Sequence, residues 1–200
     1  MDNKKFVSLS FERFDAKGAL LDVTEYFEKG KIKLDFLKYG NDNKMTDRIG
    51  IFFSPSDALT LAYNIKDGRV NKILTTLKQQ MATGQLSEKD FQYSTIWKSG
   101  IGGSYDKTRY RELIIQPGMK KPFVLVAQSG TAKEGVNGLV QPTAGPDTYI
   151  RIPMDHKELF HLAFALERAV RFCDDHMVRE YLKEKYEMEK QRALGGNENV

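Results

Sequence analysis

A segment of this chain occurs twice. Ile49 to Ile65 reads as a short apolar strand, a break and an amphipathic helix, and Ile150 to Leu166 does the same, without gaps, 101 positions later. Ile51 falls on Ile152, Asp57 on Glu158, Leu59 on Phe160, Leu61-Ala62-Tyr63 on Leu162-Ala163-Phe164, and Ile65 on Leu166. Two amphipathic helices can match by chance; a register that runs unbroken through strand, break and helix favours duplication. Internal repetition constrains architecture more than any local signal does.

Each copy closes a stretch rich in β formers. In the first, Lys5 to Phe14 alternates in polarity, Asp15-Ala16-Lys17-Gly18 is a turn where Gly18 is free to take a positive φ, and Ala19 to Phe27 is a second strand. Lys31 to Tyr39 is the clearest strand: Ile32, Leu34 and Phe36 face a core, while Lys31, Lys33 and Asp35 point the other way. Gly40 to Asp47 reads as a polar loop and Arg48 to Phe53 as the fourth strand. Ser54 or Ser56 caps the helix that follows, with Pro55 in its first turn. Lys66-Asp67-Gly68 ends that helix, and Val70 to Met81 is a further one. In the second copy Phe91 to Lys98, Arg109 to Gln116, Phe123 to Gln128 and Tyr149 to Met154 are the expected strands, with a hairpin turn at Pro117 to Lys120. Ser129 to Thr148, rich in Gly and Pro, reads as a long loop. From Asp155 the helical pattern runs almost to Ala193, with a break expected near Cys173-Asp174-Asp175, and Gly195 to Val200 should fray.

The expected fold is therefore α+β: two ββββα repeats with antiparallel sheets in one pseudo-symmetric domain over residues 1–194. Repeat one is 4–82, repeat two 90–173, the C-terminal helix 174–194, and 195–200 a disordered tail. Each sheet packs a helix on one face and leaves the other solvated.

Charge bears on what that free face meets. Residues 174–200 hold seven acids and five bases, which leaves 20 acids against 26 bases before them. The globular part carries the positive surplus, and a surplus of this size permits polyanion binding without requiring it. Cations and flat rings are interleaved in the strands: Arg13, Phe14, Lys17, Tyr26, Phe27, Lys31, Lys33, Lys38 and Tyr39 in the first unit, Trp97, Lys98, Tyr105, Lys107, Arg109, Tyr110, Arg111, Lys120 and Lys121 in the second. Cations that track phosphates and rings on which bases stack hold an unpaired strand without reading its sequence. The competing reading is a solvated sheet face of lysines over aromatics that belong to the core.

Val7-Ser8-Leu9, the Lys17-Gly18 turn, Leu20 to Phe27, and Arg48 to Pro55 before a helix together resemble the positive cofactor four-type transcription-coactivator domain. That domain is a ββββα unit that binds single-stranded DNA and is related in fold to the duplicated Whirly proteins. The likeness covers about residues 5–66 and implies that Phe14, Lys17, Phe27 and Arg48 lie on the DNA-facing surface. The chain departs from the family by one extra turn residue and by Thr24 in place of a basic side chain. The second unit resembles the family only in its closing strand and helix.

Catalytic readings are weaker. Cys173 and His176 lie one helical turn apart, but structural zinc wants four ligands. Gly100-Ile101-Gly102-Gly103 lacks the order and the strand-to-helix setting of a phosphate loop, and reads as a turn between strands. No enzyme activity, metal or cofactor is expected. A lone cysteine, no leader pattern after Met1-Asp2-Asn3-Lys4-Lys5 and no apolar run of membrane-spanning length point to the cytoplasm and to no membrane partner.

The expected function is single-stranded DNA binding with little sequence specificity, in replication, recombination or repair, in a phage or bacterial setting. RNA is the nearest alternative ligand. The second alternative is a transcription-accessory scaffold acting through the C-terminal helix, where Phe160, Phe164, Tyr181, Leu182 and Tyr186 offer a seat for a partner or for a second copy.

Overall fold

The computed structural model describes residues 9–104 and 107–195. Strands β1 (Ser10–Ala16), β2 (Ala19–Tyr26), β3 (Lys31–Tyr39) and β4 (Met45–Phe53) form an antiparallel sheet in chain order. The period of two in β3 sets its two faces. Leu34 pairs with Val23 on one side and Ile51 on the other, and Phe36 with Leu21 and Ile49, all at 5% exposure or less. Lys31, Lys33 and Asp35 fall on the opposite face. Helix α1 (Pro55–Lys66) follows β4 directly; Ser54 Oγ accepts from the Asp57 N–H at 3.2 Å, and Ala58, Leu61, Ala62 and Ile65 are buried. Gly68, at φ +82°, lets the chain leave α1 and start α2 (Arg69–Ala82).

The second sheet is also antiparallel. Strand β7 (Arg109–Pro117) and strand β8 (Phe123–Glu134) are its centre, β10 (Thr148–Met154) is one edge, and β5 (Trp97–Lys98) and β6 (Gly102–Gly103) lie along the other. Because β8 occupies one side of β7 throughout, β5 at Ile114–Ile115 and β6 at Tyr110–Arg111 share the remaining side as one interrupted edge strand. Gly102 and Gly103 thus belong to the sheet edge and Gly100-Ile101 is the interruption in it, so the segment is not a turn between antiparallel strands. Helix α4 (His156–Gly195) follows β10, and its first turn is held by reciprocal bonds: Asp155 accepts from the Glu158 N–H at 2.8 Å, and Glu158 accepts from the Asp155 N–H at 2.7 Å.

One apolar cluster joins the inner faces of both sheets to α1 and α4. Positions 101 residues apart share their burial: Leu61 and Leu162, Ala62 and Ala163, Ile65 and Leu166 are all inside. The two helices pack together, and Lys66 Nζ meets Glu167 at 2.8 and 2.9 Å, again 101 positions apart. The architecture is α+β with antiparallel sheets and a long C-terminal helix. No helix of the described residues is long and apolar enough to cross a membrane.

Three expectations are corrected. The segment from Phe91 begins inside helix α3 (Glu88–Tyr93), because Ser87 caps it by accepting from the Asp90 N–H and Phe91 alone anchors it in the core; the strand shrinks to β5. Ser129 to Thr148 is not one loop: β8 runs on to Glu134 and pairs with β9 (Val140–Pro142) as a hairpin. Gly103 packs so closely on this hairpin that a Cβ there would collide with Val140. Helix α4 has no break at Cys173-Asp174-Asp175, since no Pro or Gly interrupts 156–194 and Cys173 continues its buried stripe. The expectations for residues 5–8 and 196–200 lie outside the described residues.

Candidate nucleic-acid interface

The outer face of the first sheet follows from register. It carries Arg13 and Asp15 from β1, Asp22, Thr24 and Tyr26 from β2, Lys31, Lys33 and Asp35 from β3, and Arg48, Gly50 and Phe52 from β4. Its four cations face three carboxylates, so it holds one positive charge in excess rather than a basic field. Asp35, almost fully buried, takes two of them: Lys33 Nζ lies at 2.7 Å and the Arg48 guanidinium bridges both its oxygens at 2.5–3.1 Å. Burial alone would raise the Asp35 pKa, but hydrogen bonds from Arg48 and Lys33 outweigh it and hold the carboxyl below the usual 3.8.

A group lowered on folding contributes stability that is full above its ordinary value and lost as pH falls through the folded one. The urea midpoint is therefore expected to drop below about pH 4 in the wild type, and Asp35→Asn to flatten that part of the profile while costing ~1–3 kcal/mol near neutrality. An unchanged acid limb in Asp35→Asn contradicts the assignment.

Three of the predicted rings are buried, which corrects the expectation that they face a ligand. Phe14 pairs with Leu21 on the core face. Phe27 opens a 3-10 turn instead of ending β2, and that turn folds its ring against Phe11 and His176, at 6.0 and 5.8 Å between centroids. Tyr110 stands on the face of β7 opposite Leu113 and Ile115, buried over Gly130, where a Cβ would lie 2.7 Å from its ring. Most predicted cations are already paired: Arg13 with Asp15, Lys38 with Asp47, Lys107 with Glu134, Arg109 with Asp147 and Lys121 with Glu158. Lys17, Lys38 and Tyr39 sit at the end of the sheet opposite Lys31, ~23 Å away along β3. Lys120 and Lys121 lie on the β7–β8 turn, and Tyr105 is outside the described residues.

What remains converges. A cleft of about 450 Å³ runs between the exposed edge of β4 and the β5–β6 edge, and Lys31, Phe52, Trp97, Lys98 and Arg111 line it. Tyr26, 41% exposed, contacts Phe52 at 5.1 Å between centroids, and the Arg111 guanidinium lies 5.9 Å from the Phe52 ring centre. Among the described residues no carboxylate pairs with Lys31 or Arg111, and Lys98 is only loosely held, 3.9 Å from Glu112. Among the described residues the one carboxylate lining the cleft is Asp57, engaged by Ser54 at 2.6 Å. Gly50 keeps the floor open, for a Cβ there would stand 2.9 Å from Lys33 Cε and 3.4 Å from Phe52. The arrangement offers two outward rings and three cations, drawn from both sheets, to one extended anionic ligand.

Phe52 is the residue that reading for cations and aromatics missed. The signal was in the strand itself: Ile49, Ile51 and Phe53 point inward, so Phe52 must point out. No protein-family model matches the chain, and no curated protein matches it significantly.

Proposed function

We propose that this chain is a duplicated, Whirly-like ββββα protein that binds single-stranded DNA with little sequence preference in the cleft between its two sheets, and so serves replication, recombination or repair. The convergence of Tyr26, Phe52 and Arg111 beside the unpaired Lys31 carries the reading. Rings open to solvent receive the faces of unstacked bases, which a duplex hides, and the flanking cations meet the phosphates. Stacking and phosphate contacts of this kind take any base, so the grip tolerates any sequence.

The duplication is supported by the two antiparallel sheets, each run in a meander and each followed by a helix with a side-chain cap. It is supported also by Lys66 and Glu167. Residues at matching positions of two copies touch one another only near the axis that relates the copies.

Fluorescence anisotropy on labelled oligo(dT), oligo(rU) and a duplex of equal length tests the reading. Oligo(dT) is expected to bind far more tightly than duplex. Three phosphate contacts give log Kd a slope of about 2 against log salt, at roughly 0.7 per phosphate on a single strand. Equal affinity for duplex and single strand defeats the proposal, and a preference for oligo(rU) reassigns the ligand to RNA.

A further inference from the structure

Helix α4 outruns the body it packs on. Leu159, Leu162, Leu166, Val170 and Cys173 are buried, Phe172 still touches Phe11 at 5.6 Å between centroids, and Met177 lies beside Gly30. From Val178 to Gly195 the helix extends ~26 Å further, and every side chain from Tyr181 to Lys190 is exposed. Met177, Val178, Tyr181, Leu182, Tyr186 and Met188 are 52–65% exposed. At 100° per residue they fill one half of the helix, and Arg179, Glu180, Lys183, Glu187 and Lys190 fill the other.

We propose that this apolar half-face is an isologous dimer interface, covered by the α4 tail of a second copy running antiparallel and crossing at Glu180. Four of the five charges within the apolar half between Arg171 and Glu189 make the case; the fifth, Asp174, falls opposite Tyr186. Arg171 and Glu189 stand nine residues either side of position 180, and Asp175 and Lys185 five residues either side. An antiparallel crossing there sets each against its opposite, and two-fold symmetry makes every pairing twice. Val178 then faces Leu182, and the half-exposed Phe172 faces Met188. A parallel pair sets every one of these charges against itself.

Size agrees. Six such side chains, more than half exposed, offer roughly 100 Å² each, so about 1,200 Å² in total between two copies, which reaches the lower range of specific interfaces. The acidic balance of residues 174–200 opposes a nucleic acid or an anionic lipid surface as the occupant.

The test is sedimentation equilibrium of the full, nuclease-treated protein across about 1–100 µM, a range chosen around ordinary micromolar affinity. A dimer is expected. Val178→Glu with Leu182→Glu should raise its dissociation constant at least about a hundredfold with the melting temperature of the body unchanged. Asp175→Lys should weaken the dimer, and Asp175→Lys combined with Lys185→Asp should restore it. A mixture of Val178→Cys and Leu182→Cys proteins should cross-link to each other in preference to themselves. A monomer at the highest concentration overturns the proposal, as does a dimer indifferent to Val178→Glu/Leu182→Glu, a charge swap that fails to restore, or an open-ended series of larger species.

Discussion

Phe52→Ala is expected to weaken oligo(dT) binding roughly 5- to 150-fold, because a base stacked on an aromatic ring contributes ~1–3 kcal/mol and each ~1.4 kcal/mol is a factor of ten. The ring is half-buried on the outer face of β4, with Tyr26 on one side and Arg111 on the other, so truncating it removes the centre of the array and leaves the core of the sheet intact. Arg111→Ala should weaken binding too, and lower the salt slope by about 0.7, one phosphate fewer. Arg111→Lys keeps the slope but loses the flat contact with the ring. The double variant is expected to fall short of the summed single effects, since the guanidinium and the ring share one ligand base. Phe27→Ala is the control: its ring sits among Phe11 and His176, so it should cost stability and leave the affinity of the folded protein alone. If Phe52→Ala binds as the wild type does, the cleft is not where the strand lies.

The second large effect concerns the core. Leu61→Ala and Leu162→Ala each empty a fully buried position on a helix that packs against the other helix, and each should cost ~2–5 kcal/mol. For a chain of this length that is a fall in melting temperature of about 5–20 °C. Both should shift a single transition, because α1, α4 and the two sheets share one apolar cluster. Calorimetry in which only one of two transitions moves would show two cores and break the account of the duplication as an internal pair.

Much of the fold is legible in the strand and helix periods. Ile32, Leu34 and Phe36 were readable as inward because alternation in a strand is strict, and the helix beyond Ser54 because a cap and a leading proline announce it. The segment from Phe91 to Lys98 misled because eight mixed apolar and polar residues suit a strand and a short helix equally. Ser87 and Asp90 decide it, through one hydrogen bond and one capped turn. The hairpin of β8 and β9 was hidden because Gly130 and Gly135, which read as loop, let neighbouring segments approach closely, and Gly138, at φ +73°, makes its turn.

The site was less legible than the fold. Residue type predicts that lysines, arginines and rings bind a polyanion, but not which of them are already spent within the protein. Phe14, Phe27 and Tyr110 are as aromatic as Tyr26 and Phe52, and only packing separates them. Asp35 neutralises Lys33, two residues back on its own strand, and Arg48 from the next strand, the second a pairing set by sheet register and not by proximity in the chain.

By itself the order of residues determined the α+β class, the antiparallel strands and the long final helix, because each depends on contacts repeated every two or every three to four residues. The tertiary structure alone decided which charges stay free and brought Lys31 and Phe52 up to Trp97, Lys98 and Arg111. Those residues belong to different sheets, and the distance between two sheet edges is set by how both pack on a shared core.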